Sequence, residues 1–516
     1  MPSKHLLFMK TFSQYAVLLL GLFLLQACQS EQTAEKTASE IPKYDADWAS
    51  LGKHNESPNW FKNAKFGIYF HWGLYSVPAY KTEWYPRFMH FEGNDINTYH
   101  SKTYGPVADF GYHDFAPLFK AEKFDAQAWA QLFKDAGAQF AGPVAEHHDG
   151  FSMWDSEITP WNTMDTGPKR DITGELEKAI KAQGMRFITT FHHAKNLQRS
   201  TEIGKQVELS HYPYLENIPP SSDDPDLQLL YGNIPAERWY REIWLGKLKE
   251  VTQKYHPDIV WFDYVLGDIP EEYRKEFVAF YLNEAEKNNQ EVVLVRKQHD
   301  LPLSVSVEDL EQSRKNEIGS KTWMTDATIS DGSWSYTQDL GVKPAIDILH
   351  ILIDITSKNG VLLLNVSPKA DGTIPDNQKE GILKMGVWLK KYGEAIYNTE
   401  AWYTFGEGPT KEPKGHFGNH SAFMKLKYSN QDIRYTSKDY TIYAIILGAP
   451  ATQSEVVLSA FAKEKILDPL HIENVAFLGT DEKTQWHYDL EKGLVVNTPS
   501  TVLDEMATVI KIQISQ

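Results

Sequence analysis

Between about residue 60 and residue 370 the apolar positions keep switching period. Stretches with apolar residues every three or four positions are each followed by a short, almost continuous apolar run. FDAQAWAQLFKDAG (124–137) predicts a helix, and QFAGPVAEH predicts the strand after it. ITGELEKAIKAQG (172–184) and MRFITTF repeat the step. It recurs in RWYREIWLGKLKEVTQKY (238–255) with DIVWFD (258–263), and in EEYRKEFVAFYLNEAEKN with EVVLVR (291–296). KPAIDILHILIDITSKNG with VLLLNVS (361–367) closes the series. Helices of this size between short apolar strands predict a parallel sheet of βα units, and the span suits an α/β fold of the (β/α)8 TIM-barrel type. No glycine-rich phosphate loop follows a strand, which argues against a nucleotide-binding doubly wound sheet.

After about residue 398 the pattern becomes short strands and turns: HSAFMKLKY, IRYTSKDYTIYAIIL, SEVVLSA, KGLVVN and ATVIKIQI. These predict an antiparallel β-sandwich without a catalytic cluster, whose role is to pack against the barrel. The N-terminus has a different character. Lys4 and Lys10 precede the apolar run YAVLLLGLFLL (15–25), which ends at Ala27 and Cys28. The run is short for a membrane span and has the layout of a secretion signal. Ala27-Cys28 resembles the lipobox of bacterial lipoproteins. The expected organisation is a signal over 1–27, a polar tether over 28–44 starting at a lipidated Cys28, a barrel over 45–397 and a sandwich over 398–516. That organisation implies an exported lipoprotein attached to the outer membrane. Cys28 is the only cysteine, so no intrachain disulfide forms.

Composition adds two constraints. The formal charge of -17, with no basic patch, disfavours nucleic acid. The 15 Trp and 26 Tyr suit the apolar faces of sugars as well as filled cores. The sequence carries no sign of oligomeric state.

Chemistry gathers at predicted strand ends: Glu146, His147 and His148; His192 and His193; Asp263; Arg296. In a TIM barrel those ends form the active-site face. The histidines could ligate a metal, bond locally, or grip a polyhydroxylated ligand. Asp263 ends an apolar strand, where an acid is costly unless paired or working. Glycoside hydrolysis needs a second carboxyl, and KQHDLPLSVSVEDLEQSR after the next strand offers Asp300, Glu308, Asp309 and Glu311.

Four segments together carry a resemblance: KFGIYFHWGLYSVPAYKTEWYPRFM (65–89), EHHDGFSMWDS (146–156), PDIVWFD (257–263) and WLKKYGEAIYNT (388–399). They resemble the α-L-fucosidases of glycoside hydrolase family 29, over roughly 60–400. The resemblance implies a retaining exo-α-L-fucosidase acting on fucosylated glycans through a covalent fucosyl-enzyme, with no cofactor and no metal. It implies Asp263 as nucleophile. Substrate-binding residues would be His71, Glu83, Trp84, His147, His148, Trp261 and Arg296. The acid/base would be Glu311, with Glu308 in reserve. Three departures stand out: EQS where members often have ERG after this glutamate, Met324 where some carry a glutamate, and Glu146 where a lysine is usual. The alternatives are a retaining barrel glycosidase for another α-linked sugar and a catalytically silent glycan-binding protein. The long segment 209–235 is expected to shape the aglycone side.

Overall fold

A computed structural model describes residues 43–205, 207–411, 426–465 and 471–515. Eight parallel strands close a barrel: β1 (Phe66–Phe70), β2 (Phe140–Glu146), β3 (Arg186–Phe191), β4 (Ile259–Phe262), β5 (Val293–Arg296), β6 (Val307–Asp309), β7 (Trp323–Thr328) and β8 (Gly360–Val366). Each strand pairs with its sequence neighbours, and β8 pairs with β1 to complete the ring. Helices α1 (Ala126–Asp135), α2 (Ile172–Ala182), α3 (Leu245–Tyr255), α4 (Glu271–Lys287), α5 (Ala345–Thr356) and α6 (Asp376–Tyr392) belong to the βα alternation. Asp125 starts α1 by accepting the Gln127 and Ala128 amide hydrogens, both at 3.0 Å.

The expected TIM barrel is therefore present, with two differences in detail. WMTDAT, which the periodicity did not mark as an element, is strand β7. It is six residues, all buried, and threonine and tryptophan suit such a position. The helix expected over 238–255 contains a π-turn at Trp239–Trp244 before α3 begins. The wider turn accommodates two large buried indoles, Trp239 and Trp244, five positions apart.

Inside the barrel, Val144, Ile188, Ile259, Val293, Val295, Val307 and Leu363 interdigitate as one apolar core. Close strand approach has a local requirement at Gly142 on β2. A Cβ there would sit 1.7 Å from the Ile188 carbonyl oxygen on β3, so only glycine fits.

The C-terminal part is a sandwich of two antiparallel sheets. The larger has five strands, Glu400–Glu407, Ile433–Lys438, Thr441–Ile446, Thr508–Ile514 and Ile472–Phe477 in spatial order. The smaller has three, Glu455–Leu458, Gly493–Asn497 and Trp486–Asp489. Most of HSAFMKLKY lies outside the described residues. The sandwich packs on α5 and α6. Trp388 Nε1 donates to the Ala507 carbonyl at 2.9 Å, and Tyr443 Oη to Glu394 at 2.9 Å. Between the layers Asp354 is fully buried. It receives Arg434 Nε at 2.5 Å and Lys358 Nζ at 2.8 Å, with Arg314 Nε at 3.5 Å. Burial alone would raise its pKa, but the surrounding cations outweigh that and hold it far below the carboxylate range. Replacing Asp354 with Ala strands buried cations without their counter-charge. Urea unfolding at neutral pH should show a loss of about 3–5 kcal/mol, and the wild type should lose this contribution only in strong acid, as pH falls through the depressed folded pKa.

Candidate active site

Alternate residues of a barrel strand face the axis. That parity places the chemistry. On β4 the inward series is Ile259, Trp261 and then Asp263 just past the strand. On β5 it is Val293, Val295 and then Lys297. Met324 leads to Asp326, Leu363 to Asn365, and Tyr69 to His71. The apolar core thus ends in a layer of polar groups at the C-terminal strand ends. Strand β2 changes parity through a register shift between Val144 and Glu146. Glu146 turns outward and takes Lys247 Nζ of α3 at 2.7 and 2.8 Å, while His147 faces the cavity. The Glu146 departure is thereby matched behind the strand by a buried ion pair.

The cavity encloses about 360 Å³ of free space including its open mouth. Its lining includes His71, His147, His148, His192 and Glu83 together with Asp263, Glu311, Asp326 and Lys297, and the rings of Trp84, Tyr264 and Trp334. A far larger cavity, about 1780 Å³ on the same measure, is lined by polar and charged groups such as Lys65, Lys321 and Asn359, with no aromatic ring among its described lining. It lacks paired carboxyls with a common cation, so the smaller cavity is the candidate site.

One ammonium organises the site. Lys297 Nζ lies 3.0 Å from Asp263 Oδ1, 2.8 Å from Glu311 Oε2 and 3.5 Å from Asp326 Oδ2. Those first two oxygens can be no further apart than the sum of their contacts, about 5.8 Å. Asp263 also has His192 Nδ1 at 3.2 Å and His148 Nε2 at 3.4 Å. Burial would raise the Asp263 pKa, but Lys297 and the hydrogen bond from His192 outweigh it and hold the group well below the usual range. Lys297 is pulled down by burial and up by Asp263 and Asp326, ending well above its ordinary value. Glu311 is 47% exposed. Lys297 lowers its pKa, yet burial with the Asp326 and Asp263 charges prevails and raises it. The pair is thus split into an ionised and a protonatable carboxyl.

Burial drives His71 and His147 well below the ordinary imidazole value and His148 to about 3. His148 Nδ1 donates to the His192 carbonyl at 2.6 Å. Glu83 accepts Ser333 Oγ at 2.9 Å and the Trp334 amide at 3.0 Å, which fixes it at the rim.

Three expected residues lie elsewhere. Trp261 is fully buried one layer below the cavity, with its ring centroid 5.1 Å from that of His192 and Lys297 Nζ 4.7 Å from its own. Arg296 has the outward parity and donates to the Gln298 carbonyl. The cation in the cavity is its neighbour Lys297. Glu308, opposite Arg296 in the β5–β6 register, shares that outward parity and meets Lys315 at 3.1 Å. His193 likewise turns outward, its ring stacked on Trp244. In the segment 209–235, His211 is fully buried, with its ring centroid 5.7 Å from that of Trp84 and 5.5 Å from that of His148.

Comparison with known proteins decides the family. The sequence model described as alpha-L-fucosidase matches residues 29–394, and that of the alpha-L-fucosidase C-terminal domain matches 427–513. The chain belongs to the α-L-fucosidases, glycoside hydrolase family 29. Rat tissue alpha-L-fucosidase is 28% identical, covering 93% of each chain. Human plasma alpha-L-fucosidase is 29% identical, covering 91% of each. The crystal structure of Thermotoga maritima alpha-fucosidase in complex with fucose matches with a TM-score of 0.71 at 30% identity, covering 91% of this chain and 100% of that one.

These relatives correct the expected localisation. Enzymes similar over nearly the whole chain are described as tissue and plasma proteins, so the expected exported, outer-membrane-anchored lipoprotein is not upheld. The expectation rested on a local pattern, an eleven-residue apolar run before Cys28, which lies outside the described residues. Among the described residues no helix is long and apolar enough to cross a membrane.

Sequence reading of this fucosidase passed over Lys297, Asp326, Tyr69 and Trp334. Sequence parity could not separate Lys297 from Arg296, because Val292, Val293, Leu294 and Val295 are apolar on both faces of the strand, and only the closed barrel shows that Val293 and Val295 face the axis. Folded Lys297→Met should lose about 10²-fold or more in kcat/KM, whereas Arg296→Met should stay within about tenfold of wild type. Steady-state kinetics on 4-nitrophenyl α-L-fucoside separates the two.

Proposed function

We propose that Asp263 and Glu311 carry out, as nucleophile and acid/base, the retaining hydrolysis of terminal α-L-fucosides by which this family member acts as an exo-α-L-fucosidase. The observation that carries the assignment is the single ammonium of Lys297 in contact with both carboxylates. It limits their separation to a distance that fits the ~5–5.5 Å of retaining sites and is too short for the ~6.5–9.5 Å of inverting ones.

In the first step Asp263 forms a bond to the anomeric carbon as the bond to the leaving oxygen breaks, and Glu311 gives that oxygen its proton. In the second, water attacks the same carbon, Glu311 takes the water proton, and Asp263 departs as a carboxylate. The low pKa of Asp263 and the raised pKa of Glu311 provide the required starting states. His71, His147, His148 and Glu83 hold fucose hydroxyls. Trp84 and Trp334 supply the apolar wall that the C5 methyl of fucose needs. Neutral imidazoles suit hydroxyls because each offers one donor and one acceptor. Trp261 supports this layer from beneath. The exposed Glu311 side faces a fucosylated glycan, and His211 brings segment 209–235 to the aglycone side. Both carboxyls stand in the cavity, which weighs against a silent glycan-binding protein.

Asp263→Ala should lose about 10³-fold or more of kcat. Glu311→Ala should recover turnover of the nitrophenyl fucoside with azide, while Glu308→Ala remains near wild type without it. Activity needs Asp263 ionised and Glu311 protonated. The basic limb of the wild-type profile should therefore lie above the ordinary glutamate range and flatten in Glu311→Gln. A basic limb unchanged in that variant would assign the acid to another group.

A further inference from the structure

The hydrogen-bond partners behind two of the cavity histidines dictate their tautomers. His71 Nδ1 lies 2.9 Å from Asn365 Oδ1. Asn365 Nδ2 is committed to the Trp334 carbonyl at 2.7 Å and Thr328 Oγ1 at 3.0 Å, so its oxygen is what faces His71. His71 Nδ1 must carry the hydrogen, and Nε2 keeps a lone pair. His192 Nδ1 faces the Asp263 carboxylate at 3.2 Å. A carboxylate only accepts, so this nitrogen is also the donor. In the neutral ring His192 Nε2 is then a lone pair, and among the described residues this buried nitrogen has no hydrogen-bond partner. The third ring, His147, has a buried Nδ1 that also lacks a partner among the described residues.

One ring nitrogen from each of His71, His147 and His192 lies within 4.8 Å of the other two. Around a tetrahedral ion at ~2.0–2.1 Å such nitrogens stand about 3.3 Å apart, so modest ring movement closes the set. A carboxylate or amide behind the imidazole, fixing its tautomer, is the support that metal-ligating histidines use. Burial keeps His71 and His147 in the neutral form that ligates. Three imidazoles with a fourth position open to the cavity suit late first-row divalent cations rather than Ca²⁺ or Mg²⁺.

We propose that His71, His147 and His192 form a binding site for a divalent cation of the Zn²⁺ class, which fills the cavity floor and excludes glycoside. Such an ion is an inhibitor, and takes no part in hydrolysis. The exclusion of glycoside rests on the fucosidase assignment, whereas the metal site stands on the imidazole geometry alone.

Equilibrium dialysis of the full chain against Zn²⁺ tests the site directly. Wild type should bind one ion per chain, and His192→Ala, shown to be folded by circular dichroism, should lose it. If that variant fails to fold, His147→Gln serves in its place. Asn365→Ala, which leaves all three ligands but removes a support, should weaken binding about 10–100-fold. Zn²⁺ at ten times its dissociation constant should raise the apparent KM about elevenfold with kcat unchanged, and EDTA should reverse it. No stoichiometric Zn²⁺, or binding that persists in the folded histidine variants, overturns the proposal. Zn²⁺ that is lost in those variants yet not displaced by L-fucose upholds the metal site and counts instead against the fucose pocket.

Discussion

The ammonium of Lys297 is the constraint on which the active site depends. Asp263 is 8% exposed and Asp326 1%, and carboxylates that close to each other and that far from water would repel and protonate without a cation among them. One lysine in contact with Asp263, Glu311 and Asp326 keeps the nucleophile ionised while leaving Glu311 enough negative surroundings to hold its proton. The same ammonium sits over the face of Trp261, whose quadrupole adds a further attraction. The position of the lysine therefore sets both the distance between the two carboxyls and the difference between their pKa values.

That position is a product of strand parity. The barrel strands contribute apolar side chains to the axis until close to their C-terminal ends, where the next inward residue is the first that can be polar without sitting in the core. Asp263, Lys297, Asp326, Asn365 and His71 each occupy that place on a different strand. Where parity alone would put Glu146 inside, a bulge turns it away, and Lys247 receives it behind the sheet at 2.7 Å. A buried pair of this kind is costly to break, which helps hold the turn that presents His147 and His148. The sandwich acts at a distance from this chemistry. Its Arg434 meets Asp354 on α5, the helix leading into β8, which carries Asn365 and through it His71.

Neutral, buried imidazoles explain how one pocket can serve hydroxyl recognition and also have affinity for a soft cation. Both need a nitrogen lone pair held in a fixed direction, and both are lost on protonation. The supports that orient His71 and His192, Asn365 and Asp263, are the same in either case.

Hydrophobic periodicity by itself pointed to a barrel of βα units, five of whose eight strands it marked, and to the following sandwich, because buried strands and amphipathic helices leave local, repeating patterns. Rare pairs such as His147-His148 and the acid ending PDIVWFD marked the functional end of the barrel for the same reason. Three matters were decided only by tertiary structure. The six-residue strand carrying Asp326 is too mixed in polarity to stand out from a loop. The cation of the site is Lys297 rather than Arg296, a one-residue difference that reverses the face of the sheet and depends on where β5 registers against β4 and β6. Glu311 meets Lys297 while Glu308 turns away, since that separation is set by closure of the ring. A linear chain carries parity along one strand, but the meeting of side chains from different strands exists only once the barrel has closed.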